Sequence, residues 1–352
     1  MYSKKPFVGP SSRGDIELAA WLASRRMEPA LEPDLPIIDP HHHLWLTPSR
    51  GEYLLPQVLG DVSGGHNIVS TIFLECRAMY RADGPVEMRP VGEVEFVNGI
   101  AAMSASGGFG PTRIAAGIIG HADLTLGARV REVLEASIAV GGGRYRGIRF
   151  SVPWDASELG KHVSRYVPPK QLMEPKFREG FSQLEKLGLT YDAWLYHPQI
   201  PELKDLARAF PGTSIIIDHV GGVLGVGPYM GRHKEIFPGW RKDMAELAAC
   251  KNVTVKLGGL GMILFGFDFH ERATPPASHE LAEGWRPYIE TCIELFGADR
   301  CMFESNFPPD KQSCGYTELW NAFKHITKGA SASDKKALYS GTAARVYNLL
   351  AP

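Results

Sequence analysis

The sequence has 352 residues, 44% hydrophobic and 22% charged, which is enough apolar material for a large core in an ordinary globular protein. A formal net charge of -1 removes the electrostatic reason to expect nucleic acid or an anionic membrane surface as partner, and leaves a small-molecule substrate as the expected ligand. The five cysteines (Cys76, Cys250, Cys292, Cys301 and Cys314) are scattered without a CxxC pair, which argues against a disulfide framework or zinc finger and for a reducing, cytoplasmic setting.

Residues 1–34 read as an N-terminal arm with a short helix near residues 15–24. Lys4 and Lys5 are followed by proline, serine and glycine rather than an apolar run, so a secretory leader is not expected, and no stretch has the length of a membrane span. Residues 35–352 read as one domain. Within it, apolar, β-branched runs of strand length recur at 37–43, 69–76, 113–120, 145–151, 189–195, 213–219, 252–258 and 300–307. Between them, 129–139, 171–187, 201–209, 240–250 and 279–296 show apolar residues at three-and-four spacing and predict helices, with 333–350 as a closing helical segment.

Alternation of strand and helix implies parallel strands joined by crossovers. Runs such as Ser214-Ile215-Ile216-Ile217 are continuously apolar, as suits strands covered on both faces. Eight such units predict an α/β fold, a (β/α)8 TIM barrel, over a doubly wound sheet, since no GxGxxG follows the first strand. The glycine-rich stretch 221–231 lacks the lysine and hydroxyl of a phosphate loop and reads as a mobile connection. The apolar stretch 261–272 reads as a lid or a subunit interface.

In such a barrel the active site lies at the C-terminal strand ends. The residues there are unusually polar: His41, His43, Glu75, His121, Asp123, Arg149, Asp192, His197, His219, Lys256, Glu304 and Asn306. In Asp39-Pro40-His41-His42-His43, residues two apart share a face, so His41 and His43 can point inward together while His42 points away. With His197 and His219 they offer enough nitrogen ligands for zinc, manganese or iron. Arg149 and Lys256 are candidates to hold an anionic group or stabilise an oxyanion. Trp45, Trp154, Trp194, Tyr196 and Phe265 could wall a pocket.

Taken in order, Ile38-Asp39-Pro40-His41-His42-His43-Leu44-Trp45, Gly147-Ile148-Arg149, Ile217-Asp218-His219-Val220-Gly221-Gly222, Val255-Lys256-Leu257 and Phe303-Glu304-Ser305-Asn306-Phe307-Pro308 resemble the amidohydrolase superfamily, specifically its amidohydrolase-2 branch of metal-dependent TIM-barrel hydrolases. The resemblance covers nearly all of residues 35–350, and lactonases are the most similar members. It implies His41, His43, His197 and His219 as metal ligands or pocket residues, and an aspartate at the end of strand 8 as ligand and general base. Asn306 stands there instead, and an amide accepts no proton at neutral pH.

Asp310, Glu304 or Glu75 could supply the missing carboxylate, with Glu75 also a candidate metal ligand, or the site could work with little or no metal. The expected reaction is hydrolysis of a C–O bond in a small, carboxylate-bearing lactone or ester, with His219 catalytic and Arg149, Lys256, Trp45 and Tyr196 on the substrate. Alternatives are a dinuclear iron or manganese oxygenase, a degenerate barrel serving a paralogous subunit, and, further off, a decarboxylase. Resemblance also implies a homo-oligomer such as a dimer.

Overall fold

The computed structural model describes residues 12–161 and 166–350; the Lys4-Lys5 segment lies outside them. Eight parallel strands form one sheet, each paired with the next in sequence. They are β1 (Ile37–His42), β2 (Ile68–Leu74), β3 (Arg113–Gly120), β4 (Tyr145–Arg149), β5 (Thr190–Ala193), β6 (Ile215–Ile217), β7 (Val253–Leu257) and β8 (Cys301–Phe303). The sheet curls until its ends meet: the Asn306 N–H donates to the His41 carbonyl at 2.9 Å and the His43 N–H to the Phe307 carbonyl at 2.8 Å. The seam of the barrel is therefore made by the candidate site residues themselves. All eight expected strands are present, most of them shorter than their apolar runs, because the last residues leave the ladder to form the rim.

Period two sorts each strand into two faces. Ile37, Phe73, Ile118, Ile215 and Val255 join the large core beneath the surrounding helices. Ile38, Ile72, Ile119, Ile216 and Met302 point into the barrel and pack on Ala343, Ala344 and Tyr347 of the closing segment. That segment runs through three short helical pieces, Ala332–Lys336, Ala337–Gly341 and Thr342–Val346, and plugs the N-terminal end. Two residues beyond Ile216 and Met302, on the same inward side, come Asp218 and Glu304; polar residues thus sit on top of an apolar floor.

The expected helices appear at Val130–Val140, Pro175–Lys186, Ile200–Ala209, His233–Ala248 and Ser278–Phe296. Ile200–Ala209 carries Pro201 in its first turn, and Pro175–Lys186 is cut from a preceding turn by Pro175, which cannot donate to it. His233–Ala248 starts about two turns before its periodic part, tolerating Pro238 near its N-terminus. Leu55–Val62, Val91–Ala105 and Tyr316–Ile326 are further helices that the periodicity did not single out.

Two expectations for loops change. Residues 221–226 are buried rather than a mobile surface connection: Gly222 has a φ of 64°, and a Cβ there would lie 2.0 Å from the Leu195 carbonyl oxygen. The stretch 261–272 is mostly packed, with Phe265 and Phe269 buried, so it is a wall and not an exposed apolar face. Over the mouth lie the arm helix Asp15–Ala23 and a hairpin of Trp45–Thr47 with Gly51–Tyr53. Among the described residues, no helix is long and apolar enough to cross a membrane.

Candidate active site

The strand ends enclose a cavity of about 700 Å³, with His43, Glu75, Arg149, His219 and Asn306 at its floor. Under that floor is a sealed polar layer of His41, Asp192, Asp218, Lys256 and Glu304, each 0% exposed. Its centre is the Glu304 carboxylate, with Oε1 2.6 Å from Nδ1 of His219 and Oε2 2.7 Å from Nδ1 of His41. Nε2 of His41 faces an Arg149 N–H at 3.2 Å. The Lys256 ammonium sits 2.6 Å from Asp192, 3.2 Å from Asp218 and 3.3 Å from Nδ1 of His41. The Tyr347 hydroxyl completes the layer by donating to Asp192 at 2.6 Å.

Burial governs the charges here. It pushes Glu304 well above the usual carboxylate range and His219 down to about 3. Burial, with the nearby Lys256 ammonium, also drives His41 far below the usual imidazole value, and burial and Arg149 do the same to His43. The two cations behave oppositely: burial works against their charge, but Asp192 and Asp218 beside Lys256, and Glu75 and Asp218 beside Arg149, outweigh it and raise both. Asp192 is lifted to about 6 by burial.

The local sequence explains the close approach of His219 to Glu304. His219 has a φ of 55°, which turns the chain sharply at the end of β6. Gly258 and Gly259 follow β7, and a Cβ on Gly259 would lie 2.3 Å from Nδ1 of His219. On Gly258 it would lie 2.5 Å from Cγ of Glu304. Two side-chain-free residues thus make the space in which the imidazole and carboxylate meet.

His41, His43 and His219 converge as the spacing predicts: the His41 ring centroid is 5.0 Å from His43 and 4.6 Å from His219. His42 points to the other side, with Nε2 2.9 Å from the Thr71 hydroxyl. His197 does not join them. It lies one residue beyond Tyr196, and its Nδ1 accepts from the Leu224 N–H at 3.3 Å while its ring packs on Tyr229. Its expected ligand role is therefore corrected, and Tyr196 takes the place on the cavity wall.

Glu75 also departs from the expected ligand set. It accepts from Nε of Arg149 at 2.9 Å and lies outside the group of ligand atoms formed by His41, His219 and Glu304. The guanidinium wins because it is a buried cation within reach and the imidazoles are neutral. Asp310 is likewise no base toward the cavity. Its oxygens accept from Asn306 Nδ2 at 2.7 Å and the Gly261 N–H at 2.8 Å, so it orients Asn306 and ties down the following wall. Lys256 does not line the cavity and cannot hold substrate directly.

Trp45 and Trp194 line the cavity with Tyr196, whereas Trp154 and Phe265 pack into the core instead. His121 stacks on Phe150, and Asp123 caps the turn at Thr125. Asp218 and Tyr347 are members of the layer that the strand-end pattern does not single out; the only signal for Asp218 is that it shares the parity of Ile216.

Four buried carboxylates, Glu75, Asp192, Asp218 and Glu304, face two fixed cations, Arg149 and Lys256. Neither oxygen of Asp218 has a well-directed hydrogen bond, nor has Oε2 of Glu304. A divalent cation would balance this excess, and His41, His219 and Glu304 bring one ligand atom each within 4.8 Å of one another. The donor set therefore fits a metal ion.

The family model described as Amidohydrolase matches residues 38–349. The chain is 33% identical over 332 residues to an uncharacterized protein, y4mH, of Sinorhizobium fredii, covering 90% of this chain and 99% of that one. It is 25% identical over 244 residues to an L-fucono-1,5-lactonase of Burkholderia multivorans, covering 68% of this chain and 73% of that enzyme. A crystal structure of an amidohydrolase from Burkholderia multivorans with bound zinc shares the fold at a TM-score of 0.68 and 22% identity, covering 89% of this chain and 99% of that one. With a match that runs from the first barrel strand to the plug, the chain belongs to the amidohydrolase family and is a hydrolase.

Proposed function

We propose that the protein hydrolyses the ester C–O bond of a lactone at the cavity floor. The observation that carries this reading is Glu304, set between the two Nδ1 atoms of His41 and His219 while His219 also lines the cavity. Likeness to an L-fucono-1,5-lactonase supports the same bond class.

Burial disfavours a net charge on the imidazoles and raises the proton affinity of Glu304. When Nδ1–H of His219 is donated to Glu304, Nε2 is left as an acceptor toward the cavity. It takes a proton from water as the water oxygen attacks the acyl carbon. The Nδ1 proton passes to Glu304, and Nε2–H then protonates the departing alkoxide; the ring opens to a hydroxy acid and Glu304 returns its proton. Arg149, whose Nε and terminal nitrogens each hold a partner, keeps further N–H groups for the carbonyl oxygen. Asn306, its NH2 fixed on Asp310, offers its amide oxygen to orient the water.

His41, His219 and Glu304 would hold a divalent ion such as zinc, manganese or iron, which when bound supplies Lewis-acid polarisation and a more acidic water. Glu75, committed to Arg149, is not available to a second metal, which counts against the dinuclear oxygenase.

Replacing His219 by Ala is expected to lower lactonase activity by about 10²–10⁴-fold with an unchanged melting temperature. Full activity in a folded His219→Ala protein would remove this mechanism.

A further inference from the structure

We infer that the lactone carries an apolar substituent, an alkyl or aryl tail, that rises from the floor to the N-terminal arm; this rests on the lactone reading above. The cavity, about 700 Å³, could hold on the order of twenty waters, well beyond what one lactone ring displaces. Its upper part has a defined chemistry.

Leu18, Trp21 and Leu22 of the arm helix form a small apolar cluster of their own, separate from the barrel core among the described residues. Leu18 and Leu22, four residues apart and so on one face, line the cavity. The arm thus turns an apolar stripe toward the ligand space.

Between that stripe and the reacting groups, Trp194, Tyr196 and Leu264 line the same cavity. Trp194 meets the His219 ring edge-on at 4.9 Å and Tyr196 at 6.0 Å, and Leu264 packs on the Tyr196 cluster. Opposite, Trp45 stacks on His43 at 6.0 Å.

The polar groups near the roof are already engaged in holding it in place. Gln312 accepts from the Ser12 and Arg13 N–H groups, Lys311 pairs with Asp61 at 2.8 Å, and Arg50 donates to the Cys76 carbonyl at 3.0 Å while covering Trp45. Apolar surface is the larger share of what the cavity offers a ligand.

The test uses the purified full chain with whatever metal it carries and five-membered lactones bearing chains from methyl to octyl. Over the first several carbons kcat/KM is expected to rise about three- to fourfold per methylene, the transfer preference of a CH2 group for apolar surface. The double variant Leu18→Asn, Leu22→Asn is expected to flatten that slope. Lactone turnover with no dependence on chain length overturns the tail site and leaves the lactone reading standing. Should no lactone be turned over, the lactone reading fails, and binding of the matching 5-alkyl lactams, neutral and resistant to hydrolysis, decides the tail site. A Kd that tightens with each methylene supports it, and a flat series overturns it.

Discussion

The floor and the roof of the cavity are built on opposite principles. The floor projects from barrel strands and is held by charge-assisted bonds between buried groups. The roof is an arm and a hairpin, the arm attached by a partly buried ion pair and side-chain-to-carbonyl bonds, with an apolar inner surface. Reaction geometry tolerates little displacement, so it belongs on the rigid elements; selection among substrates is assigned to the part that contributes least to the fold.

Matching lysines give the sharpest way to break this contrast. Lys256→Met leaves Asp192 and Asp218 buried without their nearest cation, and is expected to cost about 3–5 kcal/mol in denaturant unfolding. Lys311→Met removes the solvent-accessible pair with Asp61, and is expected to cost no more than about 1 kcal/mol. Equal losses would erase the distinction. Next in size, Gly259→Ala inserts a methyl 2.3 Å from Nδ1 of His219 at a φ of 69°. A 1 Å misplacement can cost about 10²-fold; that fall in kcat, with a change in melting temperature of only a few degrees, is the expected result.

Acid should loosen the roof before the floor. His66 accepts from the Lys324 ammonium at 2.9 Å, and Lys324 also holds the Leu31 and Glu32 carbonyls that tether the arm. Burial, then Lys324, lower His66 to about 4 from a usual 6.5. The unfolded chain therefore binds the proton first on acidification: stability is complete above about pH 6.5 and is lost as pH falls toward 4. The loss is about 2–3 kcal/mol at most. Melting temperatures across that range should fall, and His66→Gln should fall less steeply; identical slopes would clear His66 of the effect.

Much of this was readable from residue order. Eight apolar runs with intervening helical periods gave the barrel, and the HxH parity gave His41 and His43 because a strand's alternation is local. His197 misled because it follows β5 by several residues, and a turn, not a strand, sets its direction. Glu75 and Asp310 misled because their partners, Arg149 and Asn306 with Gly261, depend on which side chains meet across the barrel, which no local pattern specifies. Glu304 was named only as one carboxylate of three, since its place between two imidazoles needs β1, β6 and β8 at once. The role of Gly258 and Gly259 was invisible until the neighbours were known.

The Tyr347 hydroxyl bond to Asp192 also has a consequence for biosynthesis. The polar layer draws its members from residue 41 to residue 347, so a nascent chain still short of its last turn of helix holds strands whose inward charges lack their final donor and whose apolar underside lacks its plug. Assembly of the reactive floor is thereby postponed until Tyr347 has been made and has reached the barrel.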